Sequence, residues 1–336
     1  MKYRVKHLVE YGALRAASGL VNILPYRVAL ALGWGVAWLA FHLIRSRRRE
    51  AERRIREVFG ATRFTDCEVR RIAWLSLRNL MFTAVDIMRT PSMTLKDLNA
   101  ISDYQESMRV MEEHHATGRG AIFAVPHMGA WELPARAVIL RGVPFFSVAG
   151  KQRNPLFDQY LNSTRERSGM PILIRGASAL RVIISRLKAG EMMAILPDVR
   201  MRTEDVKVRF LGKEANIGSG MALFARHAGV PIIPAVMKRV GWARHVAKVY
   251  PPIEADPSLD KQADVQRMSQ AVMDIVSEAI LAEPEQWFWY NRRWVLEPVE
   301  KSSSPSSQCG RGSPLPRQAH LGARIEQSPH GVRLPH

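Results

Sequence analysis

At 336 residues and 38.0 kDa, with 47% hydrophobic residues, the chain can bury a sizeable core in one domain, which excludes wholesale disorder. Two cysteines in unlike contexts, Cys67 and Cys309, argue against a disulfide framework, and no Cys/His cluster has zinc spacing. Lys and Arg outnumber Asp and Glu by 49 to 31, a net +18 that attracts nucleic acid or anionic lipid.

Residues 8–24 form a weak apolar segment, interrupted by Glu10 and Arg15 and ending at Pro25. Residues 28–44, VALALGWGVAWLAFHLI, follow as a 17-residue run without formal charge. A bilayer span needs about 20 apolar residues, with about 17 at the lower edge. The run therefore reads as a membrane anchor, either a short span or an interfacial helix, against the competing reading of a buried core helix. The cluster Arg45-Ser46-Arg47-Arg48-Arg49 behind it would stay on the cytoplasmic side. Residues 47–60 read as a basic amphipathic helix with Ile55, Val58 and Phe59 on its apolar side. Residues 1–60 carry a net +8, so much of the basic excess adjoins hydrophobic sequence, which favours a membrane surface over nucleic acid. Helical periodicity continues over 67–90.

From residue 120 strands alternate with helices. Apolar runs predict strands at 121–126, 145–149, 171–175, 192–197, 206–211, 231–238 and 243–250. Helices are expected at 131–141, 154–167, 178–189, 218–228 and 261–282, with Pro134 in a first helical turn and Gly190 closing the third. The pattern is that of an α/β domain over 61–300, a central and largely parallel sheet flanked by helices, preceded by a helical membrane anchor over 1–60. From Lys301 Ser, Pro and Gly dominate without hydrophobic periodicity, and 301–336 is expected to be a disordered tail.

The chemistry is expected in Val125 to Glu132, VPHMGAWE. His127 stands where a buried strand ends and Glu132 lies five residues on, and ligands of open α/β sheets collect at the C-terminal ends of strands. Gly129 lets the backbone turn and a substrate approach. An imidazole there can take a proton from an alcohol that attacks a thioester, and a nearby carboxylate can orient the ring. Spacing alone is weak, because a histidine without a role matches H-x4-E about as easily.

Several blocks add to it. PHMGAWE at 126–132 closely resembles the H-x-G-x-W-E block of the bacterial lipid A late acyltransferases, a branch of the lysophospholipid acyltransferase group with its H-x4-D/E motif. RNPLFDQYLNSTRERSG at 153–169 looks like that family's Asn-Pro helix, and ILPD at 195–198 like its strand ending in Pro-Asp. IGSGMALFARHAGVPIIP at 217–234 and PEQWFWYNRRW at 284–294 resemble its glycine-led helix and its C-terminal aromatic and arginine block. The resemblance implies His127 as general base, Glu132 as its partner or a substrate contact, and Asp198 as an assisting carboxylate. It also implies Arg165, Arg167 and Arg175 as binders of anionic groups, with Asn154, Gly129, Trp131 and Gly218 in the substrate site. Departures fall at Val208 to Gly212, at Asn216-Ile217-Gly218 and after Asp198, and they bear on the acceptor more than on the reaction.

The implied function is acyl transfer from acyl carrier protein or coenzyme A to a hydroxyl of a lipid A precursor or related glycolipid, on the cytoplasmic side of the bacterial inner membrane. The resemblance implies no metal and no redox cofactor. A phosphoinositol mannoside or ornithine lipid is the alternative acceptor, and a membrane-associated binding or assembly protein with a non-catalytic acyltransferase fold is the alternative class. A nucleic-acid partner is not expected, because most aromatics sit in apolar blocks.

Overall fold

Four helices open the chain, and each follows from local sequence. The computed structural model describes residues 4–174 and 179–298; Arg175 and the tail from 301 lie outside the described residues. Helix α1 (Val5–Ile23) and helix α2 (Tyr26–Leu43) are separated at Pro25, which flanks the first turn of α2, where no N–H donor is required. Helix α3 (Arg45–Phe59) ends at Gly60 with φ 77°, a conformation that favours glycine. Helix α4 (Asp66–Arg89) starts with a reciprocal capping box between Thr65 and Glu68. The apolar run of the sequence is thus a single helix, α2, laid along α4. Ala29, Leu30, Gly33, Ala37 and Phe41 are buried there, and the opposite face is exposed.

The next elements are α5 (Leu95–Ile101), β1 (Ser102–Asp103), α6 (Gln105–Ala116), β2 (Ala121–Ala124), α7 (Leu133–Leu140) and β3 (Phe145–Ala149). Then come α8 (Pro155–Arg167), β4 (Ile172–Ile174), α9 (Ala179–Lys188) and β5 (Met192–Ile195). The chain continues through β6 (Val206–Phe210), β7 (Lys213–Ile217), α10 (Gly220–Ala228), β8 (Ile232–Val240), β9 (Arg244–Val249) and α11 (Lys261–Ala282).

Seven strands form one sheet in the order β1-β9-β8-β2-β5-β3-β4. Every pair from β8 to β4 is parallel, as an α/β domain with helical crossovers requires. β9 is antiparallel to β8 because only a short turn joins them, and β1 runs parallel to β9. The segment 206–211 does not join this sheet. It pairs with β7 as a separate antiparallel hairpin whose two-residue turn, Leu211-Gly212, has φ of 51° and 78°.

Alternation along the strands makes two apolar layers. Ile122 and Ala124 of β2, with Ile232 and Val236 of β8, pack toward α9, α10 and α11. Phe123 and Val125, with Ile233, Ala235 and Met237, pack toward α5, α6 and α7. Both faces of β2 are buried, so its continuously apolar sequence is what a central parallel strand demands.

Candidate active site

β2 ends at Ala124, and the loop that follows is held from three sides. The Val125 amide donates to the Ile195 carbonyl of β5 at 2.9 Å. The Gly129 amide donates to the Gln286 carbonyl at 3.1 Å, and Thr83 Oγ1 of α4 donates to the Gly129 carbonyl at 2.8 Å. Gly129 has φ 55°, and a Cβ there would lie 2.6 Å from the Met237 carbonyl oxygen. The close approach that this glycine permits is therefore to the backbone of β8.

This framing sets His127 against Asp198, in the loop after β5. His127 Nδ1 lies 2.8 Å from Asp198 Oδ1, and the His127 amide donates to Oδ2 of the same carboxylate at 2.8 Å. Trp287 Nε1 supplies a further donor to Oδ2 at 2.8 Å. Asp198 is only 2% exposed. Burial pushes its carboxyl up, but the His127 imidazole, the Trp287 indole N–H and the His127 amide outweigh it and hold the group below the usual aspartate range. With an anionic carboxylate at Nδ1, the proton of neutral His127 sits on Nδ1 and the lone pair on Nε2. The His127 side chain is partly exposed, and Trp131 meets its ring edge-on at 5.2 Å between centroids.

Glu132 is elsewhere. Both its oxygens are taken by Arg165 of α8, with Nη2 to Oε1 at 2.5 Å and Nε to Oε2 at 3.2 Å. The two carboxylates near His127 thus divide: Asp198 bonds the ring, and Glu132 ties the start of α7 to α8. Burial disfavours the Arg165 cation, but Glu132 offsets this and leaves its pKa raised. Arg167 is exposed and, among the described residues, bonds its own helix, through the Ser163 carbonyl at 3.2 Å and Thr164 Oγ1 at 3.5 Å. Asn154 caps α8 through Oδ1, while its Nδ2 donates to Glu10 Oε2 at 2.9 Å and to the His7 carbonyl of α1. Those bonds explain Asn154 as a joint between α8 and α1. Gly218 stands at the exit of β7, with a Cβ position 3.4 Å from Met201 Sδ.

Beside the histidine an apolar crevice opens between the sheet and helices α6 and α7. Met108, Met111, Phe123, Val125, Trp131 and Met237 line it. Its wall and the His127 loop share Trp131 and Val125.

Trp287 had no role in the sequence reading, where its block stood as aromatics ahead of arginines. The block is held by side chains of α4: Ser76 Oγ donates to the Trp287 carbonyl at 2.5 Å and Asn79 Nδ2 to the Glu285 carbonyl at 3.0 Å. Arg54 of α3 adds bonds to the carbonyls of Trp289 and Asn291 and lies 4.7 Å from the Trp294 ring. The only signal available was a dense aromatic run, which reads equally as core.

The family described as bacterial lipid A biosynthesis acyltransferase matches residues 2–295. The chain is 26% identical over 283 residues to the lipid A biosynthesis lauroyltransferase of Escherichia coli (strain K12), covering 83% of this chain and 89% of that enzyme. It is 25% identical over 187 residues to the phosphatidylinositol mannoside acyltransferase of Mycobacterium tuberculosis (strain ATCC 25618 / H37Rv), covering 54% and 57%. A lipid A biosynthesis acyltransferase of Haemophilus influenzae is 27% identical over 185 residues, covering 53% and 55%. The chain belongs to the bacterial lipid A biosynthesis acyltransferase family and is an O-acyltransferase.

Proposed function

We propose that the chain transfers a fatty acyl group from an acyl carrier protein or coenzyme A thioester to a hydroxyl of a lipid A precursor or related glycolipid, with His127 as general base. The observation that carries this reading is the 2.8 Å bond from His127 Nδ1 to a buried, anionic Asp198 at the end of a central parallel strand. A hydroxyl bonded to Nε2 gives up its proton as its oxygen attacks the thioester carbonyl. The C–S bond then breaks, and the imidazolium returns the proton to the departing thiolate. Asp198 fixes the tautomer and stabilises the imidazolium while it exists.

The neighbouring residues fit the remaining parts. The apolar crevice behind Trp131 suits the acyl chain, which gains by leaving water. Arg167, which has no carboxylate partner among the described residues, suits an anionic group of donor or acceptor. Arg165 with Glu132 acts as a strut that fixes α8 to α7. The N-terminal helices hold the chain at the cytoplasmic face of the inner membrane, where a lipid acceptor is at hand.

A second acceptor deserves the same test, because a phosphatidylinositol mannoside enzyme is about as similar in identity as the lipid A enzymes over the shorter matches. Purified full-length chain is given labelled acyl carrier protein or coenzyme A thioester, with a lipid A precursor or a phosphatidylinositol mannoside, and the lipids are weighed by mass spectrometry. One acceptor is expected to gain one acyl group, and His127→Ala to abolish the gain. Equal product from the variant would remove His127 from the mechanism.

A further inference from the structure

Most of the exposed large apolar side chains lie on α1, α2 and the β8–β9 turn, with Ile174, Leu180, Val182 and Leu259 elsewhere. On α2 they form a single row, Val28, Leu32, Val36, Leu39 and Leu43, each 41% exposed or more, opposite the face packed on α4. On α1, Val9, Leu20 and Ile23 are likewise exposed. The third element is the turn between β8 and β9, where Val240 is 46% and Trp242 42% exposed. That turn adjoins the helices: Trp242 meets Phe82 of α4 at 5.3 Å between centroids with the rings tilted, and Ala243 packs against the same core of Val21, Ala29, Leu30, Phe82 and Val85 as Leu24 and Tyr26 do. The turn and the α1–α2 junction, remote from each other in sequence, therefore meet around Phe82 and Val85, and each bears exposed apolar side chains. Exposed apolar surface gathered in this way marks an interaction site.

Charge identifies the partner. Arg15 of α1, Arg27 of α2 and Arg244 at the start of β9 are exposed, as are Arg45, Arg47 and Arg49 in the first turns of α3, directly after α2. An apolar face flanked by arginines, with tryptophans alongside, suits the boundary of an anionic bilayer.

Packing also decides the orientation. α2 is tied to α4 at both ends: Tyr26 Oη donates to Asp86 Oδ1 at 2.7 Å, and Phe41 meets Trp74 edge-on at 5.4 Å. Between them a Cβ on Gly33 would come 3.2 Å from Val85 Cγ2. The other face of α4 is bonded into the body through Ser76, Asn79 and Thr83. To cross a bilayer, α2 would have to leave α4 or draw its charged residues Arg70, Arg71 and Arg78 into hydrocarbon, which is costly.

We propose that α2 lies flat in one leaflet of an anionic membrane, and that the β8–β9 turn, through Val240 and Trp242, is a second bilayer contact beside it. β8 reaches this turn at the same end of the sheet where β2 delivers His127, so the contact presents the candidate site to the lipid surface. The inference rests on the membrane attachment proposed above and is read without turnover.

The test uses full-length chain carrying Cys67→Ser and Cys309→Ser. A single reporter cysteine is introduced as Val28→Cys, Val36→Cys, Leu43→Cys, Val240→Cys or, at the opposite end of the sheet, Ala116→Cys. Each is labelled with an environment-sensitive fluorophore and mixed with phosphatidylethanolamine–phosphatidylglycerol vesicles holding nitroxide lipids of known depth. Positions 28, 36, 43 and 240 are expected to be quenched at one shallow depth, and position 116 to remain in water. The His127→Ala background should give the same profile, which separates membrane contact from catalysis. Deep quenching at 36 with shallow 28 and 43 would establish a spanning α2 and overturn the flat orientation. A label at 240 that stays in water would overturn the second contact. Shielding of 36 and 240 without vesicles, in a chain that sediments as a dimer, would assign the patch to a second copy instead.

Discussion

Asp198 is a carboxylate with three donors and, among the described residues, no Lys or Arg partner, and each donor should be measurable. Trp287→Phe keeps the ring and deletes one N–H. A hydrogen bond to a charged group is worth about 1.5–3 kcal/mol, equivalent to about 10- to 150-fold in rate if it is lost at the transition state. We expect kcat to fall within that range with little change in KM, and an unchanged kcat would make Trp287 a packing residue only. Asp198→Asn should cost more, about 100- to 10,000-fold in kcat, because the imidazole loses both its tautomer control and its counter-charge. His245 is a separate case. Burial pushes its pKa down to about 4, beside Arg239 and Asp86. The unfolded chain binds this proton near pH 6.5, so its contribution to stability is complete above that pH and is lost as pH falls toward 4. Thermal unfolding at pH 7 and pH 5 should show a larger acid loss for wild type than for His245→Gln; equal losses would show that this histidine does not titrate in folding. Of these residues, His127 was legible through its motif and Asp198 through the Pro-Asp block. Trp287 was not, because an indole that bonds a carboxylate has the same sequence signature as one that fills a core.

At the scale of elements, the β2–α7 loop depends on its fit against β8. Gly129→Ala places a Cβ against the Met237 carbonyl in a left-handed conformation, a cost of about 1–3 kcal/mol from the backbone alone. A fall of several degrees in Tm with loss of transfer is expected, and an unchanged Tm would show that the loop is free to move. The Glu132–Arg165 strut makes a different forecast. Either alanine variant leaves one half-buried charge unpaired, whereas removing both does not, so the double variant should be less destabilised than the sum of the singles. Additive losses in Tm would show that the pair contributes nothing as a pair. Elements with strong local signals were legible: α11 matches its expected range, where Asp260 caps the first turn through bonds to the amides of Gln262 and Ala263. The β6–β7 hairpin was not, since Val206, Val208 and Phe210 alternate with Lys207 and Arg209 as a strand of any sheet would. Partnership between strands is set by turns and register, and these leave little trace in composition. The 33 residues that separate Glu132 from Arg165 hid their pairing in the same way.

Across the whole molecule, the apolar helix α2, the loop after β2 and the C-terminal aromatic block meet on α4. α4 carries the connection. Its outer face receives α2, and its inner face bonds the Gly129 loop and the segment that bears Trp287. The α/β class and the basic N-terminal helices were readable from periodicity and charge. The stacking of those helices on α4 was not, because an apolar helix of this length has the same sequence whether it spans a bilayer, lies on it or fills a core. The central claim is that one histidine, oriented by Asp198, moves an acyl group onto a glycolipid. Its most direct test is single-turnover transfer from labelled acyl carrier protein to a lipid A precursor or phosphatidylinositol mannoside, by wild type, His127→Ala and Asp198→Asn at matched folding. The account expects an acceptor heavier by one acyl group with wild type, none with His127→Ala, and slow transfer with Asp198→Asn. Transfer at the wild-type rate by folded His127→Ala would contradict it.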